Sequence, residues 1–192
     1  MKKGRLEAFS DGVFAILITI LVLGLVPPRG TDLAALASVA PVFVAYLLSF
    51  VFLAIYWNNH HHMLQAADQV DGRVLWANLH LLFWLSLLPF VTGWMGENGF
   101  PPVPVAAYGV VCFGAGSAYF WLERTLVRLA PVDGPLQVAV GGALVKERLS
   151  LVAYAVSAAV AFVLPPLALA GYVGVAASWF IPDPRIERVI GQ

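Results

Sequence analysis

The chain has 192 residues and a mass of 20.7 kDa; 60% of its residues are hydrophobic, 11% are charged, and 11 basic side chains balance 11 acidic ones. The charged share is less than half of the roughly 25% usual in soluble domains, so with a mean hydropathy of +0.84 a soluble fold this short would expose wide apolar patches. These figures point to a membrane protein, and the even charge balance speaks against the basic stripe of a nucleic-acid binder.

A helix needs about 20 mostly apolar residues to cross a hydrocarbon core about 30 Å thick. Six predicted spans follow in chain order. The first is Phe9 to Val26, closed by Pro27-Pro28. Before it, Lys2, Lys3 and Arg5 resemble the start of a signal peptide. Glu7 and Asp11 then interrupt the pattern and no small-residue cleavage site follows, so it reads as a retained helix. The second span is Ala34 to Trp57, with the polar run Asn58 to His62 continuing its last turns. The third is Val74 to Met95 with Pro89 inside it, a residue that membrane helices tolerate. The fourth is Val103 to Leu122, leading into Glu123-Arg124. Pro165-Pro166 splits the remaining apolar stretch into Leu149 to Leu164 and Leu167 to Ile181. Between the fourth and fifth spans, Ala130 to Gly142 holds two prolines and three glycines and is expected to be a flexible connection.

With six spans, one side carries Lys2, Lys3, Arg5, Arg73, Arg124, Arg128, Lys146, Arg148, Arg185 and Arg188, and the other only Arg29. That bias places both termini in the cytoplasm. The expected fold is an all-α, polytopic membrane protein forming one domain over residues 1–192, with no separate soluble domain. Glu123 and the Lys146-Glu147-Arg148 run read as charge at the cytoplasmic interface. Cys112, the single cysteine, sits in an apolar run and reads as packing.

Polar residues concentrate at the start of the first helix and the cytoplasmic ends of its neighbours. Ser10 and Asp11 suit helix capping, but an aspartate at the mouth of a membrane helix also needs water or a partner. At about 100° per residue, Ile16, Ile20 and Leu23 share a narrow stripe with Thr19 on its shoulder. In a monomer this is lipid-facing or packing surface. Around a shared axis it becomes stacked apolar rings that close a passage by excluding water. Periodicity leaves both readings open. Asn59, His60, His61, Asn78 and His80 form a possible interhelical network of neutral donors and acceptors. Adjacent histidines point about 100° apart on a helix and do not converge on one metal ion.

The run Arg5, three residues, Phe9-Ser10-Asp11, then Ala15-Ile16 and Thr19 resembles the first-helix signature of the transmembrane protein 175 family of potassium channels, in its short prokaryotic members. The likeness continues through Trp57 to His61, Asn78 and Pro89-Phe90. It implies a potassium-permeable cation channel: a homotetramer whose pore is lined by the first helix of each subunit. The Thr-Val-Gly-Tyr-Gly loop of ordinary potassium channels is absent from the chain. By position in the signature, Ile16 resembles the constricting residue and Thr19 the hydroxyl tied to ion preference. Ile20 and Leu23 add further rings by helix spacing, and Arg5, Phe9, Ser10 and Asp11 match residues bracing the pore helix. Conduction is expected to be passive and modestly potassium-selective, with K+ as the permeant ion and no enzymatic activity, catalytic residue, metal or cofactor. The expected partners are lipid and further copies of the chain, without nucleic acid, in the cell inner (plasma) membrane. The competing readings are a secondary ion transporter, a histidine-based membrane enzyme and a non-conducting assembly subunit.

Overall fold

The computed structural model describes residues 3–67, 69–131 and 135–180. Lys2, Arg185 and Arg188 from the charge count, and Ile181 at the expected end of the sixth span, lie outside the described residues. The fold is all-α. In chain order the helices are α1 (Lys3–Leu23), α2 (Leu33–Ser38), α3 (Ala40–Gln65), α4 (Gly72–Ser86), α5 (Leu88–Glu97), α6 (Pro102–Val127), α7 (Pro135–Val160) and α8 (Pro165–Phe180). Among the described residues, α1, α3, the α4–α5 pair and α6 are each long and apolar enough to cross a membrane.

Local chemistry accounts for where these helices start and break. Asp32 Oδ1 accepts from the Ala35 N–H at 2.8 Å and caps α2. Asp71 Oδ1 accepts from the N–H groups of Arg73 at 2.9 Å and Val74 at 3.0 Å and caps α4. The predicted second span is thus two helices: a short α2, then α3, with Pro41 in the first turn of α3. Proline has no N–H and suits a first turn rather than a helix interior. The predicted third span divides the same way at Leu87, because Pro89 offers no N–H to the Leu85 carbonyl. The ladder resumes when the Val91 N–H reaches the Leu87 carbonyl at 3.1 Å.

The expected flexible connection from Ala130 to Gly142 is corrected. Helix α7 begins at Pro135, so Gly141-Gly142 lies inside it. Glycine disfavours a helix interior by about 1 kcal/mol relative to alanine, a preference that tertiary packing overrides. The packing here is against α6, with Leu136 buried.

Helix α6 is the hub of the fold, packing on α4, α5, α7 and α8, while α3 packs on α1, α5 and α8. Two glycines permit the closest approaches. A methyl group on Gly114 of α6 would overlap the Trp84 ring of α4, and one on Gly109 would overlap the Tyr172 hydroxyl of α8. Small residues serve membrane helices in this way because lipid supplies no hydrophobic drive between them and close packing must hold them together. Hydroxyl groups add to it: Ser49 bonds Thr92 at 2.6 Å and donates to Tyr108 at 3.1 Å, and Tyr172 donates to the Val105 carbonyl at 3.0 Å.

Candidate functional site

Helix α1 has two sharply different faces. Leu6, Ser10, Phe14, Leu17 and Leu21 recur at three- and four-residue intervals and are buried against α3, α4 and α5. The opposite face carries Arg5, Phe9, Ile16, Thr19, Ile20 and Leu23, all exposed, with Ile16 at 59% and Leu23 at 74%. Exposure alone does not separate a pore face from a lipid face, since Trp76 and Val163 are equally bare at 71% and 86%. Thr19 adds a chemical distinction. Its hydroxyl donates to the Ala15 carbonyl of its own helix at 2.9 Å, which commits the proton inward and leaves oxygen lone pairs on the exposed side.

A buried polar chain ties the other face in place. Asn78 Nδ2 of α4 donates to Ser10 Oγ of α1 at 3.0 Å, and Asn78 Oδ1 lies 2.7 Å from His60 Nε2 of α3. With Oδ1 accepting, Nε2 is the protonated nitrogen of His60. The His60 ring also packs on Phe14 of α1, with centroids 5.6 Å apart. Three helices therefore meet through one amide. Beside Ser10, Trp57 Nε1 donates to Asp11 Oδ1 at 2.9 Å, and at the start of α1 Lys3 Nζ donates to the carbonyls of Gln65 at 3.2 Å and Ala67 at 3.0 Å.

The five residues grouped from sequence thus separate. His60 and Asn78 reach Ser10. His61 stacks on Trp57 at 5.7 Å and meets Gln65 at 2.9 Å, lying behind the Asp11 contact. Asn59 donates to the Ile55 carbonyl within α3. His80 sits elsewhere, 3.3 Å from Trp84 Nε1 and ring to ring with Trp121 of α6. Among the described residues no three His, Cys, Asp or Glu side chains converge as metal ligands. Trp57 and Lys3 were missed as partners. The available signal was an indole N–H, which seeks an acceptor, on the helix whose end would lie beside Asp11. Glu123 and Glu147, expected as interfacial charge, are instead buried at 2% and 5% exposure. Helix α7 packs along α6, and Tyr56 of α3, Tyr119 of α6 and Trp179 of α8 stand around Glu147.

Comparison with known proteins gives this geometry its context. Residues 5–89 match the family model described as the endosomal/lysosomal potassium channel TMEM175. That stretch contains α1 from Arg5 onward, the polar chain and the start of α5. A potassium channel of Chryseobacterium sp. (strain P1-3) is 47% identical over the full length of both chains. The crystal structure of a lysosomal potassium-selective channel TMEM175 homolog from Chamaesiphon minutus superposes with a TM-score of 0.82 and 26% identity, covering 93% of this chain and 96% of that one. The endosomal/lysosomal proton channel TMEM175 of Gallus gallus is 41% identical over 46% of this chain and 20% of its own length.

The expected location in the cell inner (plasma) membrane is corrected by these names, which point to endosomes and lysosomes. Apolar spans with basic cytoplasmic flanks suit any bilayer that borders the cytoplasm, so the residues behind that expectation do not distinguish one membrane from another. The chain is an all-α polytopic membrane protein associated with a lipid bilayer, and its fold is not that of the ordinary potassium channels. From its full-length likeness to a bacterial potassium channel and the match across α1 and its polar chain, the chain belongs to the TMEM175 family of potassium channels, with K+ as the permeant ion and no enzymatic role.

Proposed function

We propose that the chain forms a homotetramer in which the exposed faces of four α1 helices surround a central passage for potassium. Each subunit is one domain with six spans: α1, α2 with α3, α4 with α5, α6, α7 and α8. Both termini are cytoplasmic, in keeping with the ten-to-one distribution of basic residues. The observation that carries the reading is the division of α1. One face is held by Ser10, Asp11 and apolar packing, and the other leaves Ile16, Thr19, Ile20 and Leu23 exposed among the described residues.

On this reading Ile16, Ile20 and Leu23 form successive rings that constrict the passage by disfavouring water. An apolar ring supplies no ligands, so preference rests on the cost of stripping water from each ion and on the width of the gap. Thr19 supplies oxygen lone pairs between the rings. These features support potassium passage with weaker sodium current, driven only by the electrochemical gradient. Ser10 and Asp11 brace α1 within the subunit, while Arg5 and Phe9, exposed on its outer side, brace it against neighbouring copies.

Planar-bilayer recording of the purified chain under unequal potassium and sodium tests this directly. Potassium current is expected, with altered conductance or selectivity in Ile16→Asn and Leu23→Asn. Unchanged permeation in both variants removes these residues from the pore. Cysteines placed at 16 and 23 should react with water-soluble thiol reagents from the conduction path, with Cys112 buried and silent.

A further inference from the structure

A second buried polar site lies where α3, α6, α7 and α8 meet. A cavity of about 40 Å³ is walled by Tyr56, Asn59, Tyr119, Glu147, Ser150 and Trp179, among others. One water needs only about 10–15 Å³. Glu147 of α7 is 95% buried, and neither of its carboxyl oxygens has a hydrogen-bond partner among the described residues. Glu123 stands one turn beyond Tyr119 on α6; its carboxyl meets that of Glu147, and its Oε1 is likewise unpartnered.

Buried polar atoms almost always find partners, so three unpartnered carboxyl oxygens in one place call for an occupant. Two carboxylates in contact away from water do not both stay ionised without a positive charge between them. Arg124 of α6 acts on Glu123 through its charge, yet the three carboxyl oxygens remain without a hydrogen-bond partner among the described residues. The Arg124 guanidinium lies 4.8 Å from the Phe120 ring centre, and its Nε lacks a hydrogen-bond partner among the described residues. The Lys146 amine of α7 lies 4.6 Å over the Trp179 ring. Tyr56 of α3, Tyr119 of α6 and Tyr154 of α7 contribute neutral phenols, and Trp179 of α8 donates from Nε1 to Ser150 Oγ at 2.9 Å. A proton is the smallest occupant that satisfies both carboxyls, becoming a covalent O–H on one and a hydrogen bond to the other.

We propose that Glu123 and Glu147 form a proton-binding dyad inside each subunit, holding one proton across the contact between α6 and α7 at a site separate from α1. The proton is exchanged with water in the cavity, and no other reactant is needed. Its loss sets two negative charges against each other and loosens α7 from α6. Because α1 packs on α3, α4 and α5, the dyad acts on a different seam of the subunit from the proposed pore face.

Infrared spectroscopy of the full chain in lipid vesicles at neutral pH, in potassium and then in choline buffer, tests the dyad without any current. A carboxylic-acid C=O stretch that shifts in heavy water is expected in both buffers. It should change frequency in Glu123→Gln and in Glu147→Gln, and be lost in the double variant. Absence of the band from the unsubstituted protein overturns the proposal, as does a band that survives unaltered in the double variant. A band seen in choline but abolished by potassium also overturns it, because the site would then hold a metal cation. The readout does not depend on α1 lining a pore, so the failure of either reading leaves the other standing.

Discussion

The brace behind α1 and the carboxyl contact between α6 and α7 are both polar and buried within the helix bundle, yet they are built in opposite ways. At the brace, Ser10 and Asn78 are fully buried and His60 is 1% exposed, and the bonds run in an unbroken line from ring to amide to hydroxyl. At the carboxyl contact, Glu147 is nearly as buried but both of its oxygens stand without a hydrogen-bond partner among the described residues. A line in which each donor meets an acceptor fixes helices relative to one another. A site left with surplus acceptors holds them together only when something positive arrives.

The strongest way to break this comparison is Asn78→Leu, which keeps approximate size but strands His60 and Ser10 together. The expected loss is about 1–3 kcal/mol for each stranded group, read as a lower thermal midpoint in lipid nanodiscs together with reduced potassium flux. A midpoint equal to that of the unsubstituted protein would show that the brace holds nothing. Gly114→Ala comes next, because its methyl group would overlap the Trp84 ring and overpacking costs about 1–3 kcal/mol. It should lower the midpoint without the selective loss of flux expected from the brace variant. Trp57→Phe keeps the stacking on His61 but removes the indole N–H from Asp11. One net hydrogen bond of about 0.5–1.5 kcal/mol is expected to go, and Asp11→Ala should give a similar loss in a double-mutant cycle with it. The smallest effect is expected at Glu147→Gln, where an amide replaces a carboxylic acid of nearly the same shape. A change within about 0.5 kcal/mol at neutral pH sharpens the contrast with Asn78, whereas a loss as large as that of Asn78→Leu would erase it.

Much of the α1 region was legible from residue spacing. Ile16, Thr19, Ile20 and Leu23 fall on one side of a helix whatever surrounds it, and all four are exposed in the subunit. The membership of the brace was only half legible. Asn59 and His80 have the same chemistry as His60 and Asn78, but one turns back to its own helix and the other toward Trp121. Nothing in their residue types distinguishes them. Glu123 and Glu147 were misread for a related reason: charge beside Arg124 and Lys146 looks interfacial until the neighbouring helix is known to cover it.

Composition and local chemistry settled by themselves that this is a helical membrane protein and which residues share the outer face of α1. Those properties arise from contacts a few residues apart. The tertiary structure alone decided that Ser10 meets an amide 68 positions away, that Trp57 rather than a histidine reaches Asp11, and that two carboxyls are closed inside the bundle. Each depends on the rotation and depth of one helix against another, which close packing of side chains from several helices sets and no single segment encodes.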